Sequence, residues 1–210
     1  DVYKRQINDD KLAYLPLGID TKSFSPPSGE INRDRNLVIC VGNNRRDFRT
    51  LKNIYKILKE NRPSIQLKLA GSLQGKENFR NYPEVEFLPF LPEKEFRELY
   101  NRASVLILPL LEGGSSQTLN EALSSGLPVI TNAFPNLSDY INTTAVLSFP
   151  PKDFKSMARA CINLLENEKK LKVMSKNARL HMLNYDISLI KKKLKIIYEN
   201  YLGLKIFEVK

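Results

Sequence analysis

The residues of this chain best placed to do chemistry lie together: Glu112, Gly113, Gly114, Ser115, Ser116, Gln117, Thr118 and, a little further on, Glu121. Two glycines and two serines just ahead of a helical stretch gather free backbone N–H groups, the positive end of a helix dipole and two hydroxyls at one point, and an anion fits there. The plainer alternative makes Ser115 a helix N-cap and the glycines a turn. Glu121 sits about one and a half turns into that helix, beside a strand end rather than on a long solvated face; ordinary surface exposure is its structural alternative. A second set follows Gly42: Arg45, Arg46 and Arg49 stand near another helix start. Cations there oppose the dipole, so either an anion is their partner or they form a solvated basic surface.

The elements that hold these residues can be read from apolar periodicity. Residues 106–111 form an apolar strand; a short helix stopped by Gly126 follows, and Pro128 opens a second apolar strand. This βαβ unit puts the Gly-Ser turn at the C-terminal end of a parallel strand, where open α/β sheets bind ligands. Residues 36–42 form another strand, whose turn leads to a helix with Leu51, Ile54, Tyr55 and Leu58 on one face. Strands are expected at 65–71, 85–90 and 145–149, with helices at 92–100, 135–141, 152–165, 168–182 and 187–202. The alternation gives an α/β fold, a Rossmann-like, mostly parallel sheet with helices on both faces.

At 210 residues, 42% hydrophobic and 27% charged, the chain can bury one substantial core. Its longest apolar run, residues 105–111, falls far short of the ~20 residues that span a bilayer, and no signal-peptide pattern opens the chain, so a cytoplasmic protein is expected. Cys40 in a strand and Cys161 on a helix face read as reduced core residues. His181, the only histidine, has no companion ligands at metal spacing. The formal charge is +10, and residues 152–210 carry 14 lysines or arginines against 6 acids. That basic end admits a peripheral contact with an anionic inner-membrane surface. No aromatic residues interleave with the lysines in a nucleic-acid-binding motif, so nucleic acid is not expected as a partner.

Residues 121–130, Glu-Ala-Leu-Ser-Ser-Gly-Leu-Pro-Val-Ile, resemble the Glu-Ala-(small)-Gly-x-Pro-Val-(Val/Ile) signature of retaining GT-B glycosyltransferases, glycosyltransferase family 4. Residues 15–26 resemble the Asn-Gly-(Val/Ile)-Asp-x-x-x-Phe-x-Pro segment that joins the two halves of those enzymes. The resemblance implies that Glu121 grips the ribose hydroxyls of a nucleotide-sugar donor. In the family a partner Glu stands seven residues earlier and contacts the donor sugar, but here that position is Gly113 and the acid is Glu112. Either a one-residue bulge brings Glu112 into place, or a Gly-Ser-Asn-like turn replaces the first acid and its backbone meets the sugar; the second is the preferred expectation. The family's Arg and Lys that clamp the donor diphosphate correspond to Arg45 or Arg46 with Arg49, since its usual Gly-Arg reads Gly42-Asn43 here. Backbone of Ser116, Gln117 and Thr118 would meet the phosphates. The family's base-binding backbone corresponds to Pro89 to Leu91; Phe90 and Leu91 are compatible with a slot for the base and equally with ordinary core packing.

The resemblance runs from about Leu15 to Tyr201 and implies the C-terminal, donor-binding half of a GT-B fold. Residues 1–30 would be a linker opened by an adapter scar at 1–6, residues 31–185 the donor domain, and residues 186–210 a helix and tail bracing an absent N-terminal domain. It implies a hexosyl or related transfer, in bacterial-type polysaccharide or glycan synthesis, to a glycan, lipid or small-molecule acceptor, with no cofactor and no metal. No Asp-x-Asp occurs in the sequence. Two rivals remain, a nucleotide-sugar epimerase of the same architecture and a non-catalytic basic module that binds anionic lipid or nucleic acid.

Overall fold

The computed structural model describes residues 12–27, 32–114, 116–137, 141 and 144–202, with Asn136, Tyr201 and Leu202 given by backbone alone. The expected scar, Ser28 and Gly29 of the linker, Ser115 and the Tyr201 side chain lie outside the described residues. Six strands, β1 (Asp34–Val41), β2 (Gln66–Ala70), β3 (Glu86–Leu88), β4 (Ala103–Leu108), β5 (Val129–Asn132) and β6 (Val146–Phe149), form one parallel sheet. Their spatial order is β3-β2-β1-β4-β5-β6. The helices are α1 (Phe48–Asn61), α2 (Leu73–Asn78), α3 (Glu93–Arg102), α4 (Gln117–Ser124), α5 (Phe154–Glu166), α6 (Glu168–Met182) and α7 (Ile187–Leu202).

A parallel sheet must be covered on both faces, and alternate side chains supply the two cores. Leu37, Ile39 and Val41 of β1 join Leu106 and Leu108 of β4 under α3 and α4, whereas Val38, Cys40, Val105 and Ile107 face α1 and α5. Helix α6 serves both, with Leu171 and Met174 in one core and Ala178 and Met182 in the other. Cys40 and Cys161 are free and buried. The expected Rossmann-like α/β fold is therefore the observed one. Among the described residues no helix is long and apolar enough to cross a membrane.

Three local expectations need correction. Helix α2 was not foreseen; Ser72 starts it by accepting from Gly75 N at 2.8 Å. Strand β3 is shorter than residues 85–90 because Pro89 has no N–H to continue the ladder. The helix expected at 135–141 is a 3₁₀ turn over Pro135–Leu137, and residues 138–140 lie outside the described residues. Gly126 does stop α4: at φ +65° it lets Leu127 N reach Ala122 O at 2.8 Å and Gly126 N reach Leu123 O at 3.0 Å.

Residues 18–25, expected as linker, are tied to the domain. Ile19 N donates to Tyr185 O at 2.9 Å, Ile187 N donates to Ile19 O at 2.9 Å, and Arg179 Nη1 holds the carbonyls of Thr21, Phe24 and Ser124. Asp186 organises this corner by accepting from Thr21 Oγ1, Ser188 Oγ and Ser188 N. Those bonds, the Ser188 side chain's foremost, hold its carboxyl well below the usual range. The folded value is depressed, so this contribution is present above the ordinary carboxylate pKa of about 3.9 and fades as pH falls toward the folded value. Asp186→Ala is expected to cost about 1 kcal/mol at pH 7 in urea unfolding, and the gap from the parent should narrow as the titrations are taken down from pH 4. Helix α7 leaves Leu189, Leu194, Ile196 and Tyr198 exposed, while Ile190 is buried. Ile197 on the same helix is half-buried.

Candidate functional site

From β1 the chain crosses through α1 to β2 on one side, and from β4 through α4 to β5 on the other. This is the switch point of the sheet, and a crevice opens beyond the C-terminal ends of β1 and β4. The two loops that flank it are joined by main-chain bonds: Asp47 N donates to Pro109 O and Leu111 N to Arg45 O, both at 2.9 Å. Leu110 N donates to Asn132 Oδ1 at 2.7 Å, so the end of β5 fixes the same turn. The crevice measures about 560 Å3. Gly42, Arg45 and Arg46 line it from one loop; Glu112, Gly114, Ser116, Gln117 and Thr118 line it from the other.

The three arginines have three different fates. Arg46 is largely buried: Nε donates to Val41 O at 2.8 Å, Nη1 to Asn44 O at 3.0 Å and Nη2 to Thr118 Oγ1 at 3.0 Å. Burial lowers its pKa, and among the described residues no carboxylate pairs with it. The guanidinium passes close under Gly42, whose φ is +85° and whose added Cβ would lie 2.8 Å from Nη2. Arg45 adopts φ 59° and pairs with Glu112, Nε to Oε1 at 2.8 Å, with both side chains more than half exposed. Such a left-handed conformation costs a non-glycine residue about 1 kcal/mol. Arg49 is exposed on α1 and does not line the crevice. The expectation that three cations crowd one helix start is thus corrected: the N-terminus of α1 is capped by buried Asp47, which accepts from Thr50 N at 2.9 Å.

At α4 the N-cap is Ser116, not Ser115; Ser116 Oγ accepts from Leu119 N at 3.3 Å. Asn120 N donates to Ser116 O at 3.1 Å. The N–H groups of Gln117 and Thr118 find no acceptor among the described residues, and they stand beside Arg46 at the crevice. A buried cation and two unsatisfied donors at a helix N-terminus make a receptor for an anion such as phosphate.

Glu121 is not in the crevice wall but three residues beyond Thr118 on α4. It is half-buried, and Tyr100 Oη donates to its Oε2 at 2.8 Å. Burial raises the Glu121 pKa, and the bond from Tyr100 opposes the rise. Its other oxygen receives no hydrogen bond among the described residues. Phe90 is 86% exposed, while Leu91 is partly buried and packs on the core.

A family model described as glycosyl transferases group 1 matches residues 21–181, more than half of the chain. The chain belongs to the glycosyl transferase group 1 family. The MMP α-(1→4)-mannosyltransferase of Mycolicibacterium hassiacum is 22% identical over 189 residues, covering 82% of this chain and 44% of that protein. The sucrose-phosphate synthase structure from Thermosynechococcus elongatus superposes with TM-score 0.75 at 21% identity, covering 90% of this chain and 52% of that one. The pneumococcal O-GlcNAc transferase GtfA, solved with UDP and GlcNAc, gives TM-score 0.71 at 18% identity and coverages of 89% and 39%. These likenesses show the fold, that of GT-B glycosyltransferases. The chain spans about half the length of these relatives or less.

Two parts of this group 1 glycosyl transferase escaped the sequence. Asn43 accepts from Gln74 N at 3.0 Å and ties the β1 loop to α2, and Tyr100 was legible only as an apolar position of a helix. A larger cavity, about 730 Å3, lies at the other end of β1 between Arg33, Arg35 and α6. Arg33 and Arg179 there are already engaged. Arg33 donates to the carbonyls of Tyr100, Asn101, Ala103 and Ser125, and Arg179 to that of Ser124, so they clasp the C-terminal ends of α3 and α4. His181 packs against Tyr185 and does not line the crevice.

Proposed function

We propose that this group 1 glycosyl transferase binds the diphosphate of a nucleotide-sugar donor between Arg46 and the N-terminus of α4. The observation that carries the reading is the Arg46 guanidinium, buried at the crevice without a carboxylate partner among the described residues and beside the free N–H groups of Gln117 and Thr118. Glu121, three residues further along the same helix face, takes the ribose hydroxyls on its unbonded oxygen. Arg45 is held by Glu112 and turns to the phosphates when the donor enters. The base lies toward Phe90, and backbone of Gly113, Gly114 and Ser116 faces the donor sugar.

In this reading the glycosyl–oxygen bond of the donor breaks and the electron pair leaves with the diphosphate. Arg46 and the helix N–H groups stabilise the charge that develops there, so no metal ion is needed for that step. The transferred group is a hexosyl or related unit, and transfer proceeds with retention to an acceptor held by a domain outside this chain. Support comes from a mannosyltransferase among the sequence relatives and UDP in a fold neighbour. The family-like Glu-Ala-(small)-Gly-x-Pro signature at residues 121–130 supports retention. Residues 31–185 are the donor domain; α7 braces the acceptor domain, and the excess of lysine and arginine in residues 152–210 allows a peripheral membrane contact.

Calorimetric titration with UDP, GDP and ADP in the presence of EDTA tests the reading. Binding of at least one diphosphate at micromolar to sub-millimolar concentration is expected; no heat from any of them up to millimolar concentration would refute it.

A further inference from the structure

We propose that Tyr100 is a positioning residue for nucleotide binding: its phenol anchors one oxygen of Glu121 so that the other is presented to the ribose. The inference rests on the ribose reading of Glu121 and adds to it the group that sets the orientation of the carboxylate.

A glutamate on a short helix has three rotatable bonds, and a half-buried carboxylate left to itself either turns outward or takes up a proton. Tyr100 removes both freedoms. Its hydroxyl donates to Glu121 Oε2 at 2.8 Å, an ordinary O–H···O distance. The anchor is rigid because the Tyr100 side chain is fully buried, with its ring edge-on to Phe96 at 4.9 Å and to Phe24 at 6.2 Å. Its own carbonyl is held by Arg33 Nη1 at 2.7 Å.

The neighbours of the phenol keep it a donor. Burial first, and then the Glu121 charge, push the Tyr100 pKa well above the ordinary tyrosine value, so the O–H is present throughout the neutral range. Arg46 and Cys40 also act on it electrostatically: the first is a cation, and the second a buried thiol pushed up to about 11. No other titratable group acts appreciably on Glu121. Tyr100 thus reaches the carboxylate proposed for the ribose from α3, while α4 carries both that carboxylate and Thr118, the partner of Arg46.

The test compares the parent chain, Tyr100→Phe and Glu121→Gln, each titrated with the tightest of UDP, GDP and ADP and with its 2′,3′-dideoxy counterpart. Tyr100→Phe keeps the ring and its edge contacts, so the fold is retained, and thermal melting of each variant confirms it. The expected result is that Tyr100→Phe weakens the ribonucleotide about 5- to 10-fold and the dideoxy ligand less than about twofold. Removing the hydrogen bond also raises the Glu121 pKa, so the acid loss of ribonucleotide affinity should move to higher pH in Tyr100→Phe. If Glu121→Gln is ribose-selective while Tyr100→Phe weakens both ligands equally or neither, the positioning role is overturned and the ribose reading stands. If Glu121→Gln itself shows no ribose selectivity, the ribose reading fails and the positioning role fails with it.

Discussion

Replacing Arg46 by alanine is expected to weaken nucleoside diphosphate binding about 100-fold and to change binding of the unphosphorylated nucleoside less than about twofold. A hydrogen bond to a charged group is worth about 1.5–3 kcal/mol, and a buried guanidinium that loses no carboxylate partner on binding gives most of that to the ligand. Arg45 should behave differently. It is exposed and already paired with Glu112 at 2.8 Å, so a phosphate only exchanges with an existing partner, and Arg45→Ala should cost no more than about threefold. Arg49→Ala should leave affinity unchanged, because Arg49 lies outside the crevice. Arg46→Ala also frees the carbonyls of Val41 and Asn44, so titrations are compared on protein shown folded by circular dichroism. Equal losses for Arg45→Ala and Arg46→Ala would mean that general surface charge, not the buried guanidinium, attracts the diphosphate.

The second large effect concerns Glu121→Gln, expected to weaken the ribonucleoside diphosphate about 10- to 100-fold and to have no effect on the 2′,3′-dideoxy ligand. The substitution removes the charge but keeps an acceptor for Tyr100, so the loss reads the ribose contact. The pH dependence has a defined sign. Burial raises the Glu121 pKa, so ribonucleotide affinity should fall, as pH drops, at a value above that of an ordinary glutamate. Stability runs the other way. A carboxylate with a raised folded pKa is a burden above its unfolded pKa, and the burden is relieved as pH falls through the folded value. Glu121→Gln should therefore be no less stable than the parent at pH 7 by thermal melting. A variant that melts lower and binds both ligands equally weakly would make Glu121 a structural residue.

How far the sequence reached follows from how local each signal is. Strands β1 and β4 were legible from the apolar runs at residues 37–41 and 105–108, and α4 because Gly126 and Pro128 punctuate its end. Helix α2 was not, since six residues with Gly75 as their buried position leave no periodic face to see. The arginines could be named from the sequence as a group but not ranked. Which one goes under Gly42 and which pairs with Glu112 depends on the bridge between residues 46 and 110, which join only when the sheet closes. Tyr100 lies 21 residues from Glu121 and becomes its partner through the packing of α3 against α4. Even the cap was ambiguous locally, because Ser115 and Ser116 are equally good capping residues and only the path of the chain chooses between them.

The measurement closest to the central claim is an amide NMR titration of ¹⁵N-labelled protein with UDP, GDP or ADP and, separately, with the matching nucleoside. The diphosphate is expected to give its largest shifts at the Gln117 and Thr118 N–H signals and at the Arg46 side chain, with the nucleoside leaving all three nearly unmoved. Shifts confined to Arg33, Arg35 and α6, at the opposite end of β1, would contradict the assignment of the diphosphate to the crevice.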